Sequence, residues 1–191
     1  MIELQKIKER KMKETAVKLQ EVYNNQEDTS SPLDYISVLT SKPSMIKKFH
    51  ELGNCAKEIV RSFNKCPYAV TLELESIKKD SDSIVESLNK GTISKALYEI
   101  EKDDQDHFIK SLQYYSDIGE EIRVCDHLPM KMLISDNNTV MISLRNNGSS
   151  KFKLTSMIVE HSDLTDALIE LFDIYWERSI TLDEFIKNQN Q

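Results

Sequence analysis

Apolar positions along the first 23 residues recur at a helical interval. Met12, Ala16, Leu19 and Tyr23 follow one another at 4-3-4 spacing, with Leu4 and Ile7 upstream, and most other positions are Lys, Glu or Gln. So narrow a stripe predicts the seam of a coiled coil rather than a broad core face. The reading gives a dimerisation helix over 1–25, with Leu4, Met12, Ala16, Leu19 and Tyr23 as its contacts. From Asn24 to Pro32 no large apolar residue occurs, which predicts a linker, placed at 26–33.

From residue 34 the pattern changes to short apolar runs alternating with helical stripes. Tyr35 to Leu39 predicts a strand. Ser41 predicts the cap of a helix opened by Pro43, with Ile46, Phe49 and Ala56 on its buried face. Ile59 to Phe63 predicts a second strand, stopped at Cys66-Pro67-Tyr68. The stretch 69–82 shows no clear period. Ser83 to Lys90 predicts a helix end with Gly91 as its C-cap, and Thr92 to Ile100 a strand. Asp103, Asp104 and Asp106 open a helix whose buried stripe is Phe108, Leu112 and Tyr115, and Gly119 ends it. Ile122 and Val124 alternate, as do Met130, Met132 and Ile134, and then Val140, Ile142 and Leu144. The turn Asp136-Asn137-Asn138-Thr139 between the last two runs predicts a hairpin. Phe152 to Val159 is one more strand. Ser162-Asp163 caps a final helix with Leu164, Leu168, Leu171, Phe172 and Tyr175 on one face. The expected domain spans 34–182, with a polar tail at 183–191. The fold class is α/β, a mixed β-sheet sandwiched by helices and preceded by a long N-terminal helix.

Composition narrows the function. The 191 residues carry a net charge of -7, with 39% apolar and 30% charged positions. That suffices for a core, and it argues against the chain itself binding nucleic acid, because phosphate contacts need a basic surface. No apolar run approaches the roughly 18 residues of a membrane span, and no leader precedes the helix. Three scattered cysteines, Cys55, Cys66 and Cys125, predict a reduced, cytoplasmic chain. No CxxC occurs and no His pair has ligand spacing, so neither a metal centre nor a cofactor is expected.

The most informative stretch runs from Pro129 to Asn146. Lys131 and Asp136 are five apart, and Ser143-Leu144-Arg145-Asn146 follows. The Lys, Asp and Asn spacing resembles the phospholipase D superfamily motif H-x-K-x4-D-x6-G-S-x-N, in the hairpin context that motif occupies. Pro129 stands at the position of the nucleophilic His, Ser143 at that of the Gly and Leu144 at that of the Ser. Covalent attack on a phosphodiester needs the nucleophile itself, and proline has no side-chain nitrogen to offer. His127 lies two residues away, about 7 Å along an extended chain, which is too far for a positioned nucleophile. The site therefore reads as catalytically dead, with no catalytic residue assigned. Lys131, Asp136 and Asn146 are its candidate ligand-binding residues.

The wider order of pieces is similar to the sensor half of TrmB-type transcription regulators. The matching pieces are the helix Glu3–Tyr23, the strand Tyr35–Leu39 and the run Ile59 to Tyr68. They continue with Gly119 to Val124, Leu128-Pro129-Met130-Lys131-Met132, and Leu164 to Leu171 through Tyr175-Trp176-Glu177-Arg178. In the run 59–68, Asn64 replaces an acid and Cys66 the first of two prolines of the related bacterial pattern. The resemblance implies a coiled-coil helix leading into a degenerate phospholipase-D-like effector domain that binds a small molecule, such as a sugar or phosphorylated metabolite. It also implies a helix-turn-helix before the coiled coil or after the Trp-Glu-Arg helix. The chain runs from the one to within a few residues of the other. The expectation is a dimerising sensor that does not bind DNA by itself, as a homodimer or paired through its N-terminal helix with a full-length regulator. In that second reading it is a stand-alone interaction protein that modulates its partner, in the manner of an antirepressor or decoy.

Other candidates read as structural. Cys125-Asp126-His127 lacks an oxyanion donor or an orienting third group, so it predicts a strand end with a partly buried thiol. Glu73 and Glu75, and Glu99 and Glu101, predict solvated faces. Trp176 predicts core or dimer surface. Arg61 and Lys65 flank a strand end and need no ligand to account for them.

Overall fold

The computed structural model describes residues 35–66, 81–101, 105–146 and 153–189, all within the unit Tyr35–Gln191. The seam residues Leu4, Met12, Ala16, Leu19 and Tyr23, the linker, Asp103, Asp104, Glu73 and Glu75 lie outside the described residues. The elements alternate as the apolar pattern predicts. They are β1 (Ile36–Leu39), α1 (Lys42–Cys55), β2 (Ile59–Asn64), α2 (Asp82–Asn89), β3 (Ile93–Glu99), α3 (Gln105–Asp117), β4 (Glu121–Cys125), β5 (Lys131–Ser135), β6 (Thr139–Asn146), β7 (Lys153–Glu160), α4 (Ser162–Arg178), β8 (Ile180–Thr181) and α5 (Leu182–Gln189).

The strands form one mixed sheet in the order β1-β7-β6-β5-β2-β3-β4-β8. β2, β3 and β4 run parallel, joined across α2 and α3, and the other pairs are antiparallel. Alternation along each strand divides the side chains between two helical layers. Phe63, Leu97, Met132, Ile134, Val140 and Val159 pack against Leu168 and Phe172 of α4. The opposite face meets α1 through Met45 and Leu52, and α3 and α5 through Phe108, Leu112 and Phe185.

The local signals for element ends hold. The Ser41 hydroxyl accepts the Ser44 N–H at 3.2 Å and caps α1. Gly91 and Gly119 sit just beyond α2 and α3 at φ +90° and +106°, a conformation that side chains with a Cβ rarely adopt.

Three expectations need correction. The buried stripe of α1 is Met45 and Leu52 rather than Ile46 and Phe49, and Phe49 is 38% exposed. The periods 45-52 and 46-49 both fit a helix, and the sheet chose the first. The cap of α4 lies one residue earlier than Ser162: His161 holds the N-cap position and makes no side-chain hydrogen bond to the helix. The residues after Ile180, expected as a polar tail, form β8 and α5. Thr181 and Glu184 make a reciprocal capping box, with the Glu184 N–H on Thr181 Oγ1 at 3.2 Å and the Thr181 N–H on Glu184 Oε2 at 2.9 Å. Leu182, Phe185 and Ile186, at i, i+3 and i+4, bury that short helix against Val124 and Leu112.

The sheet face under α1 and α2 carries an acidic group. Glu120, 7% exposed, accepts the Ser94 hydroxyl at 2.8 Å and the Tyr98 hydroxyl at 3.4 Å. Burial pushes its carboxyl up to about 7, against the smaller opposing pull of those two hydroxyls. An unfolded glutamate ionises near 4.3, so between about pH 4.3 and pH 7 the folded chain holds the extra proton. Stability from this group is complete below the lower value and is lost as pH rises through the upper one. Glu120→Gln should therefore leave stability near its original value at pH 4.5 and raise it by about 3 kcal/mol at pH 8. Urea titrations at the two pH values check this, and equal shifts at both would refute it.

Candidate functional site

Lys131 lies at the end of the sheet where β2, β3 and β4 finish and β5 begins. Lys131 opens β5 and pairs with Ser143 of β6, which pairs in turn with Ser156 of β7. These three positions share the α1 side of the sheet with Leu133, Met141 and Ile158. The Ser143 and Ser156 hydroxyls lie 2.8 Å apart and share a hydrogen bond. Thus Ser143 is tied to the next strand. Lys131 is only partly exposed, and burial pulls its amine down to about 8, with Cys66 acting weakly the other way. A half-withdrawn ammonium of this kind gains from an anion that replaces lost water.

The structure separates Asp136 from that end. Asp136 follows the last residue of β5, so it stands about 16 Å from Lys131 along an extended strand. Its carboxylate accepts the backbone N–H groups of Lys57, Glu58 and Ile59, at 3.0, 2.9 and 3.0 Å. Its own N–H donates to the Ile59 carbonyl at 2.8 Å, and it holds a positive φ of 51°. Burial raises this carboxyl, but the three amides outweigh it and leave it below the usual range. Asp136 is a clamp between the hairpin and the entry to β2, with its carboxylate engaged by the backbone there. Asn146 closes β6 opposite Lys153, and its side chain lies outside the described residues.

Glu99 is the residue the sequence reading misplaced. It ends β3 and is partly buried rather than solvated. One oxygen, Oε2, receives the Leu128 N–H at 2.7 Å and the Lys65 ammonium at 2.8 Å, with His127 Nδ1 at 3.3 Å. Burial raises its carboxyl, and the Leu128 amide and Lys65 together bring it below the usual value. Lys65 also donates to the Leu128 carbonyl. Glu99 and Lys65 therefore hold the loop 126–130, and with it Pro129, against the ends of β2 and β3. Lys65 is committed to that loop. Arg61 lies on the opposite face, level with Lys95.

The loop does not assemble a Cys–His pair. The Cys125 thiol points to the His127 carbonyl at 3.6 Å, and burial pushes it up to about 11. A thiol so protonated at neutral pH is a poor nucleophile. Trp176 stacks on Phe172 at 5.5 Å, with Lys95 Nζ and Arg123 Cζ at 5.2 and 5.3 Å from its ring. Arg123 also donates to the Trp176 and Ser179 carbonyls at the end of α4, where a cation complements the helix dipole. Among the described residues, no three His, Cys, Asp or Glu side chains are grouped as metal ligands, and no helix is long and apolar enough to cross a membrane.

The fold has solved counterparts. TrmBL2, an archaeal chromatin protein whose structure shows a novel mode of DNA binding, matches with a TM-score of 0.60 and 19% identity over 93% of this chain and 65% of its own. This chain thus spans just under two thirds of the length of TrmBL2. Nuc from Salmonella typhimurium, a phospholipase D family member, matches with a TM-score of 0.57 and 16% identity over 76% of this chain and 97% of its own. NucT from Helicobacter pylori matches with a TM-score of 0.59 and 10% identity over 76% and 98% of the two chains. No family model and no curated relative matches the sequence. At these identities the likeness shows the fold, which is phospholipase-D-like and shared with TrmBL2.

Proposed function

We propose that this chain is the effector-sensing and dimerisation domain of a TrmB-like transcription regulator, and that its phospholipase-D-like site binds an anion without cleaving it. The observation that carries this reading is the pairing of Pro129 with Lys131. The lysine that would hold a phosphate is present and half withdrawn from water, while the position of the attacking nitrogen carries a side chain that cannot attack. Glu99 and Lys65 fix Pro129 in that place. The likeness to TrmBL2 supports the reading, because it extends over more of this chain than the likeness to Nuc or NucT. The N-terminal seam at Leu4, Met12, Ala16, Leu19 and Tyr23 carries the dimer. Ligand binding at the Lys131 end acts by favouring one dimer arrangement over another. Lys131 and the neighbouring end of β6, including Asn146, hold the ligand, a phosphorylated metabolite such as a sugar phosphate.

Calorimetric titration with phosphorylated sugars tests the site. Binding is expected, and Lys131→Ala should weaken it at least tenfold, the effect of removing one charge-assisted contact of about 1.5–3 kcal/mol. Sedimentation equilibrium at micromolar concentration should return a dimer mass. A generic phosphodiester should not turn over. Turnover that vanishes on His127→Ala would overturn the proposal in favour of an enzyme.

A further inference from the structure

An opening begins two residues along β5 from Lys131, at Leu133, and lies between α1, α2 and the strands. It holds room for a few water molecules, about 40 Å³. Phe49 and Gly53 line it from α1, Ser87 from α2, Ser62 and Ser94 from the strands, and Glu120 closes one side.

The groups around this cleft are unevenly matched. Among the described residues Glu120 receives two hydrogen bonds, both from neutral hydroxyls, and the one from Tyr98 is long at 3.4 Å. A carboxylate has about four acceptor positions. Among the described residues no Lys, Arg or His lies within ion-pair distance of it. Glu120 is the one acidic or basic residue in the cleft lining, and the Tyr98 phenol is the other titratable group that reaches it. The Ser87 hydroxyl gives its proton to the Gly53 carbonyl at 3.1 Å, which leaves its lone pairs as acceptors. At Gly53 a Cβ would meet nothing within 4 Å, so the helix wall is bare. Phe49, 38% exposed, presents a ring beside the opening.

We propose that this cleft is a binding site for a small primary ammonium ion, of methylamine to ethanolamine size, with Glu120 as its counter-ion. An ammonium needs acceptors on three sides, and Glu120 and the Ser87 hydroxyl supply them at one wall. The Phe49 ring offers an apolar or cation–π surface for the rest. A divalent metal ion, which takes six or more oxygen ligands, finds a single carboxylate here. A neutral polyol would leave the buried charge uncompensated. The site is separate from the Lys131 end and has the opposite charge preference.

Titration of the full chain with methylammonium chloride tests the proposal, with potassium chloride at equal ionic strength as the reference. At pH 8 a saturable rise in melting temperature beyond the potassium reference is expected. At pH 6 the affinity should be about tenfold lower, because the cation must then displace the proton on Glu120. Glu120→Gln should abolish the saturable rise. Gly53→Leu, which fills the bare wall and alters no charge, should abolish it too, so the site is tested independently of Glu120. A methylammonium response equal to that of potassium overturns the site. An undiminished response in folded Glu120→Gln, or an equal and pH-independent response to glycerol, overturns the ammonium class.

Discussion

Phe172→Ala is expected to lower the unfolding free energy by about 3–5 kcal/mol, the range for truncating a fully buried phenylalanine. Phe172 has no exposed surface and lies at the centre of an aromatic row. Its ring stacks on Phe63 and on Trp176, each at 5.5 Å and 25°, and Phe63 meets Tyr175 edge-on at 5.4 Å. Among the described residues α4 is the one helix over that face of the sheet, so truncation opens a void that no second helix can close. It also leaves Trp176, the ring beneath Lys95 and Arg123, without its stacking partner. Urea denaturation measures the loss. Ile174→Ala, two residues on and 44% exposed, should change stability by no more than about 0.5 kcal/mol. A comparable loss at both positions would mean that α4 contributes through helix formation rather than through this packing.

Asp136→Ala is expected to cost about 2–4 kcal/mol, since it strips acceptors from three backbone N–H groups at once. It also places alanine at a positive φ of 51°, where aspartate is better tolerated. Asp136→Asn keeps one acceptor oxygen and the same backbone tolerance, and should lose less than half as much. The pH dependence separates this clamp from simple strain. The folded carboxyl is held below its ordinary value by the amides of Lys57, Glu58 and Ile59, which outweigh the opposing effect of burial. Its stabilisation is therefore complete above the unfolded value near 3.9 and is lost as pH falls through the lower folded value. The difference between the original chain and Asp136→Asn should shrink as pH is taken from 6 to 3. A difference constant over that range would assign the effect to the backbone conformation alone.

Both clamps bear on how the site is read. Asp136 and Glu99 each gather donors from a chain entry or loop that is remote in sequence. Asp136 reaches back 77 to 79 residues to the start of β2, and Glu99 reaches forward 29 to Leu128. Their spacing in the sequence carries no trace of this. An Asp in a hairpin turn and a Glu at a strand end are both common, and only the strand order places amides in front of them. The Lys, Asp and Asn spacing therefore falls on one hairpin while grouping residues from opposite ends of it.

Local order was legible because it rests on local forces. The period of two in Ile122 and Val124, the helical stripe of Phe108 and Leu112, the Ser41 cap and the two glycines beyond helix ends are set by backbone sterics and near-neighbour bonds. The Thr181-x-x-Glu184 box before Leu182, Phe185 and Ile186 was equally local and marks α5 as clearly, although the polar residues around it obscured the signal. Which of two equivalent stripes a helix buries, as with Met45 against Ile46 in α1, is different. So are the withdrawal of Lys131 from water and the enclosure of Glu120. These depend on which strands become neighbours, and strand order joins residues tens of positions apart. The sequence by itself determined the elements, their succession and the presence of Pro129 where the motif it resembles has a His. The tertiary structure alone decided which charges are paired, which are buried, and that Asp136 supports the fold from the far end of β5, because burial and partner geometry arise only when the sheet has closed.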